Sequence, residues 1–369
     1  MMKTSRGAIL TALGAPFEIV DLVWDEPQAD EVGVRVVACG VCHSDWHAAN
    51  GDYPVEYPIL VGHEGVGIIE RVGANVRRVA IGDHVVMSWM PSCGHCAWCS
   101  AGKGHLCDRG ARLLSGERDD STPRVRTADG TAVRQMSFLG AFSDYVVIPE
   151  DGCIIVDDDF ALERIAPIGC RVPTGFGAAT VMAGVTQGST ALVIGLGGVG
   201  MNVLQGLRAA GSIVIIAADR VDKREWAESF GATHFIDTTS EDVLEAVRRI
   251  TGIGVDYAFD AIGDKDVQSL CVEALHKGGR AVWVGAAPQS SREIEIDLQM
   301  VTLYEKTMGG VCYGGASPFT LVPELLALYR SGKVMIDELI THVYRLDEIN
   351  TAFEDMLAGR NICGVVQYE

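Results

Sequence analysis

The stretch from Thr190 to Asp219, TALVIGLGGVGMNVLQGLRAAGSIVIIAAD, constrains the fold of this chain more than any other. TALVI and SIVIIAAD are short all-apolar runs, the pattern of strands covered on both faces. Between them VGMNVLQGLRAAG reads as a helix closed by Gly211. Gly195, Gly197 and Gly200 form a GxGxxG turn directly after the first strand and directly before the helix. The first glycine permits the tight turn, the second lets a pyrophosphate approach the backbone, and the third allows helix and strand to pack closely. Asp219 ends the second strand, where a carboxylate accepts hydrogen bonds from adenosine ribose hydroxyls and repels a 2′-phosphate. That favours NAD over NADP, with Arg220 directly after it as the opposing charge.

The strand and helix alternation continues. EDVLEAVRRITG puts Val243, Leu244, Val247 and Ile250 on one helical stripe before the strand-like VDYAFDAIG, and AVWVGAA and MGGVCYG add two more candidate strands. Repeated units of this kind predict an α/β doubly wound parallel sheet over residues 176–317. The earlier chain reads differently. From Ala8 to about Arg78, runs such as EVGVRVVACG and EGVGIIERVG are broken by Gly, Pro and Asp, the punctuation of an antiparallel, barrel-like β region. Residues 91–137 lose periodicity and read as a long excursion. After Phe319, helical LVPELLALYRSG and LDEINTAFEDMLAG and a strand-like CGVVQY return to the first domain. The expected division is 1–175 with 318–369, and 176–317; 369 residues suit two cores better than one.

Composition excludes some functions. With 49 Asp+Glu against 30 Lys+Arg, a net charge of -19 argues against gripping a nucleic-acid backbone. No apolar run approaches the ~20 residues of a membrane span. MMKTSRGAIL leads into TALGAPFEIVDLVWDE without the sustained apolar segment of a signal peptide, so a reducing cytoplasm is expected. There, 11 cysteines read as metal ligands or core residues and not as a disulfide framework.

Cys93, Cys96, Cys99 and Cys107 form CxxCxxCx7C in PSCGHCAWCSAGKGHLCDRG. Tetrahedral zinc takes four such donors from one loop, with Gly94, Gly102 and Gly104 supplying turns. Four protein ligands leave no open position, so this site is structural, and His95 and His105 beside it are not ligands. A second group is scattered: Cys39, Cys42, His43, Ser44, Asp45 and His47 in CGVCHSDWHAANGDY, His63 and Glu64 in VGHEGVG, and Cys170 in IGCRVPTGFG. A catalytic zinc takes three ligands and keeps one position open, but spacing does not choose among these residues.

Together, CGVCHSD, GHEGVG, the four-cysteine loop, IGC, GLGGVG and AGRNICGVV resemble the zinc-dependent alcohol dehydrogenases of the medium-chain dehydrogenase/reductase family over nearly the whole chain. PSCGHCAWC, LCDRGARLLSG and YRLDEINTAFEDMLAGRNI are similar to a bacterial subgroup, some of whose members hold the nicotinamide tightly and pass electrons to artificial acceptors. The resemblance implies a GroES-like, β-rich catalytic domain beside the Rossmann domain, two zincs per chain and NAD. It implies Cys42, His63 and Cys170 as catalytic zinc ligands, Glu64 behind the metal, and Asp45 orienting the ligand histidine. Ser44 falls where a hydroxyl contacts the substrate oxygen, and His47 where a surface histidine delivers the proton through the cofactor ribose to solvent. Cys39 is left to the core. His43, Thr174, Gly198, Val199, Arg224, Ile262, Val284 and Ala286 join the glycines and Asp219 at the cofactor, and Trp89, Phe138, Leu139 and Val311 fall at the substrate pocket.

Three positions depart from the pattern. His43 stands where many relatives have a pyrophosphate arginine, and Cys363 where a second is common; Arg171 follows Cys170 where a small glycine is usual. Its guanidinium could reach substrate, cofactor phosphate or solvent. The expected activity is reversible hydride transfer between a primary or secondary alcohol and NAD, giving an aldehyde or ketone. Thiol-adduct (S-hydroxymethyl) formaldehyde dehydrogenase is the alternative enzyme, and a catalytically silent zinc and dinucleotide binder the alternative class. The partners expected are a small alcohol or aldehyde and a second copy in a homodimer, with a homotetramer next, and neither nucleic acid nor membrane.

Overall fold

The computed structural model describes residues 2–112, 116–118 and 120–369, so Leu113, Leu114 and Ser115 of the LCDRGARLLSG motif lie outside the described residues. The chain forms two compact units: Met1–Cys170 with Ser317–Ala327 and Ile336–Glu369, and Arg171–Ala316 with Leu328–Met335. No helix among the described residues is long and apolar enough to cross a membrane.

The first unit is β-rich. Lys3–Leu10, Glu18–Trp24, Val125–Thr127, Ala132–Gln135 and Ile59–Leu60 close a small barrel. Ile59–Leu60 closes it by pairing antiparallel with Lys3–Leu10 and parallel with Ala132–Gln135. A seven-stranded sheet runs Cys153–Val156, His84–Met87, Glu64–Val72, Glu31–Val41, Cys363–Gln367 and Ile340–Tyr344, with Tyr145–Pro149 also on Glu31–Val41. The core beneath them holds Trp24, Tyr145, Phe142, Ile9, Leu22 and Ile69 among its largest buried side chains.

Residues 91–137 are therefore not only an excursion, because two barrel strands lie in them. Each strand buries a single valine, Val125 or Val133, too little apolar repetition to show as a period. Two buried arginines bind this segment to the sheet. Arg124 Nε donates to Glu31 Oε2 at 2.8 Å, and Arg118 Nη2 donates to the Val147 carbonyl at 2.8 Å.

The second unit is a six-stranded, wholly parallel sheet in the order His234–Asp237, Val214–Asp219, Thr190–Ile194, Val255–Asp260, Leu275–Trp283 and Thr307–Gly310. In chain order that is 3-2-1-4-5-6, and its switch point lies beside Thr190–Ile194, where open α/β sheets receive ligands. The glycine turn leaves this strand and enters the helix Gly198–Ala210, which Gly211 closes at φ +87°. In the helix Val243–Thr251 the predicted stripe packs on the sheet: Val247 is buried, and Val243, Leu244 and Ile250 lie against the core. Leu328–Met335 joins this unit through a buried glutamine, since Gln205 Nε2 donates to the Met335 carbonyl at 3.0 Å and the Met335 amide to Gln205 Oε1 at 2.7 Å.

Candidate active site

Four buried side chains from distant parts of the first unit converge: one donor atom each of Cys42, His63, Glu64 and Cys170 lies within 4.8 Å of the others. Cys42 follows the strand Glu31–Val41 and caps the helix His43–Asn50. His63 and Glu64 open the strand Glu64–Val72 behind Gly62, whose φ of +100° and contact with Phe142 leave no room for a Cβ. Cys170 follows the turn Ala166–Gly169, which packs on that strand with the Gly169 Cβ position 3.1 Å from Glu64 Cα. Cys39 lies outside the group, fully buried in its strand.

His63 Nδ1 donates to Asp45 Oδ1 at 2.9 Å, and the same oxygen accepts the Gly62 amide at 2.8 Å. The tautomer is thereby set and Nε2 is aimed at the cluster, buried with no hydrogen-bond partner. Burial opposes a charge on this ring, yet the Asp45 carboxylate and the Cys42 sulfur outweigh it and hold the His63 pKa well above the usual imidazole value. A buried cluster of two sulfurs, a carboxylate and an orphaned ring nitrogen calls for a cation, and this donor set fits zinc. Asp45→Asn is expected to weaken metal binding here by about 10- to 100-fold, read by competition with a chelator. Unchanged affinity would show that Asp45 does not orient the ring.

Ser44 and His47 occupy the first turn and the last turn of the next helix. Near the Ser44 hydroxyl stands Tyr53, a residue the sequence reading missed; burial first, and then the Cys42 charge, push the Tyr53 phenol up to about 12. His47 is not a surface histidine, being 7 % exposed and covered by the rings of His43 at 5.1 Å and Tyr53 at 5.0 Å. Its Nδ1 meets Asp52 Oδ2 at 2.6 Å, and Asn50 Nδ2 donates to the same oxygen at 2.8 Å. The reason is local: Gly51 ends the helix in the left-handed region at φ +88° and folds Asp52 back onto its last turn. The NGD triplet was the signal available in sequence.

Cys93, Cys96, Cys99 and Cys107 bring four sulfurs within 4.8 Å in a loop carrying the helix Ala97–Ser100. Backbone amides point at them: Cys96 N lies 3.4 Å from Cys93 Sγ and Cys99 N 3.5 Å from Cys96 Sγ. Such amides, led by that of Asp108, lower the Cys96 thiol to about 6, whereas burial raises Cys107 to about 12. A cation would let all four ionise together, so this loop too fits zinc. His95 is exposed with Nδ1 on the Cys93 carbonyl at 3.0 Å, and neither it nor His105 joins the quartet.

In the second unit the glycine turn is tight, since a Cβ at Gly200 would lie 1.9 Å from the Gly195 carbonyl oxygen, while Gly197 faces open space. Asp219 is held at the strand end by the Leu196 amide at 2.6 Å and the Arg220 amide at 2.7 Å. Arg220 turns its guanidinium to Asp222 at 3.0 Å. Arg224 is exposed and stacks on Phe235 at 4.8 Å; Lys223, not singled out in sequence, is buried with Asp219 as its attracting charge. Thr174 Oγ1 is buried without a partner, and Ile262 lies over Gly195. Val199 stands in the first turn of its helix, and Val284 and Ala286 follow the strand Leu275–Trp283. An uncovered glycine, a fixed carboxylate and an orphaned hydroxyl fit a dinucleotide.

Of the residues that the resemblance put at a substrate pocket, three belong to the first unit and one to the second. Trp89 is half-buried against the first unit's core, Phe138 is buried with Arg118 5.8 Å from its ring, and Leu139 belongs to that core. Val311, in the second unit, donates its amide to the Trp283 carbonyl at 3.1 Å.

Two family models match the chain: the alcohol dehydrogenase GroES-like domain over residues 28–158 and the zinc-binding dehydrogenase over residues 198–330. The chain is 39% identical over 370 residues to an NDMA-dependent alcohol dehydrogenase of Amycolatopsis methanolica, covering 100% of this chain and 99% of that protein. It is 38% identical over 379 residues to an S-(hydroxymethyl)glutathione dehydrogenase of Paracoccus denitrificans, covering 100% of both. The benzyl alcohol dehydrogenase structure of Acinetobacter calcoaceticus superposes with a TM-score of 0.94 at 35% identity, covering 100% of both chains.

Proposed function

Because this chain belongs to the zinc-dependent alcohol dehydrogenases of the medium-chain dehydrogenase/reductase family, we propose that Cys42, His63 and Cys170 hold its catalytic zinc and that Cys93, Cys96, Cys99 and Cys107 hold a second, structural one. The observation that carries the reading is the buried convergence of Cys42, His63, Glu64 and Cys170, with the Ser44 hydroxyl on the same helix start. When bound, the zinc supplies Lewis-acid polarisation of the alcohol oxygen and the nicotinamide dinucleotide supplies the hydride acceptor.

The remaining work falls to the chain. Ser44 Oγ, with the Tyr53 phenol near it, accepts the hydrogen bond of the alcohol hydroxyl. Asp52 accepts the Nδ1–H of His47, which leaves Nε2 to take up the proton that the alcohol gives up. Asp45 keeps His63 in its ligating tautomer. Glu64 would offer a further oxygen donor to the bound cation, in space that Gly40 leaves open: a Cβ there would sit 2.0 Å from Glu64 Oε2. Trp89, Phe138 and Leu139 shape the alcohol side of the first unit.

NAD is the cofactor inferred, carried by Gly195, Gly197, Gly198, Val199, Gly200, Asp219, Arg224, Thr174, Ile262, Val284 and Ala286. The Asp219 carboxylate repels a 2′-phosphate, and Arg220, paired with Asp222, is drawn away from rescuing one. Asp219→Gly is expected to cut the preference for NAD over NADP by about 100-fold in kcat/KM, a like-charge effect of several kcal/mol. An unchanged ratio would remove Asp219 from cofactor choice.

A primary alcohol with an aromatic ring is the inferred substrate, on the likeness to the benzyl alcohol dehydrogenase and the small Ser44. The test is kcat/KM for aliphatic, terpenoid and aromatic alcohols with NAD, NADP and NDMA, and for formaldehyde with and without glutathione. Preference for formaldehyde with glutathione would replace this substrate reading with the thiol-adduct one. We also infer a cytoplasmic homodimer, with a tetramer as the alternative. Thr307–Gly310 ends the parallel sheet among the described residues, and Leu298 and Leu303 in the helix that precedes it in the chain are exposed. Sedimentation giving a particle of 39.4 kDa would exclude the dimer.

A further inference from the structure

We propose that Arg171 supplies the fixed positive charge that holds the dinucleotide pyrophosphate at the glycine turn. The inference rests on the nicotinamide-dinucleotide reading above and goes beyond it by assigning the phosphate-binding cation. Arg171 opens the helix Arg171–Gly177 in the second unit, the unit that contains the turn. It is only 4 % exposed. Its side chain runs over the first residue of the helix Gly198–Ala210: a Cβ at Gly198 would lie 2.6 Å from Arg171 Cδ, 3.2 Å from Nη1 and 3.4 Å from Nε. Gly198 therefore does more than complete a motif, since any larger residue would displace the arginine.

The electrostatics point the same way. A helix stabilises anions at its N-terminus and cations at its C-terminus. Here a buried guanidinium lies at the N-terminus of a 13-residue helix whose first turn has no acidic residue. An anion bound at the turn would meet both the Arg171 guanidinium and the positive end of this helix. Beside them Gly197 presents backbone with nothing within 4 Å of its Cβ position, the approach a diphosphate requires. A guanidinium binds phosphate oxygens with two donors at once, so one arginine serves where a histidine or thiol does not. Cys363, at one of the positions where the resemblance leads one to expect an arginine, is fully buried in the strand Cys363–Gln367 and carries no cation.

The experiment uses the full-length, zinc-loaded protein and measures direct binding of NADH, ADP-ribose and adenosine by calorimetry, for wild type, Arg171→Gln and Arg171→Lys. Unfolding midpoints confirm that each variant is folded. Arg171→Gln is expected to bind NADH and ADP-ribose about 10- to 100-fold more weakly, the worth of a charge-assisted hydrogen-bond pair. Adenosine, which has no phosphate, binds it as it binds wild type. Arg171→Lys recovers part of the loss, and the salt dependence of NADH binding is shallower in Arg171→Gln than in wild type. Equal NADH affinity in Arg171→Gln and wild type overturns the proposal while leaving the cofactor reading intact. Tighter binding by Arg171→Gln also overturns it, because the arginine would then be blocking the turn. If wild type binds no dinucleotide, both readings fall.

Discussion

Replacing His63 with alanine is expected to lower alcohol oxidation by at least about 10³-fold in kcat/KM, because Lewis-acid catalysis is worth several kcal/mol of transition-state stabilisation. The cost is large for reasons visible around the residue. His63 is the only nitrogen donor of its cluster, its other nitrogen is fixed by Asp45, and all four members of the cluster are buried. Cys42→Ala should behave alike. Elemental analysis is expected to fall from two zincs per chain to one in both variants, with NADH affinity within about twofold of wild type. A His63→Ala enzyme that keeps two zincs and full turnover would rule out this centre as the site of chemistry.

A Cys107→Ala variant is expected to lose the other zinc and with it about 10 °C of thermal midpoint. Structural zinc contributes folding free energy directly, and roughly 4 kcal/mol retained from such a site shifts a domain of this size by that amount. Cys107 is the most buried of the four sulfurs and receives the Cys93 amide at 3.5 Å, so its loss opens the loop from within. Turnover per remaining zinc, measured well below the new midpoint, should stay near the wild-type value. If the midpoint is unchanged, the loop is held by its own hydrogen bonds. A collapse of turnover in folded protein would mean that the loop shapes the catalytic pocket directly.

The two predictions rest on sites that differ in how far the sequence discloses them. The four-cysteine loop is local: residues three apart share a turn, and spacing alone identifies the donors. The glycine turn is legible for the same reason, as is the stripe Val243, Leu244, Val247 and Ile250. The Cys42, His63, Glu64 and Cys170 centre is assembled from a helix cap, a strand start and a distant turn, so spacing left it among nine candidates. Only the resemblance selected the members that the fold brings together. Asp52 and Tyr53 escaped notice because their importance depends on the left-handed turn at Gly51, which places them against His47 and Ser44. The barrel strands Val125–Thr127 and Ala132–Gln135 escaped because each buries one valine. Arg171 was visible as an oddity, but only its path over Gly198 shows which ligand it would meet.

The strand Cys363–Gln367 has a bearing on how the enzyme is made. It pairs with Ala38–Val41, immediately before Cys42, whereas Tyr145–Pro149 covers the same strand only over Glu31–Arg35. On the ribosome, at roughly 5 to 20 residues per second, the backbone edge leading into Cys42 stays bare for tens of seconds after it emerges. The parallel sheet of the second unit lies wholly within that interval and can finish first. The edge of the strand that precedes Cys42 is thus completed only after the whole second-unit sheet has been synthesised.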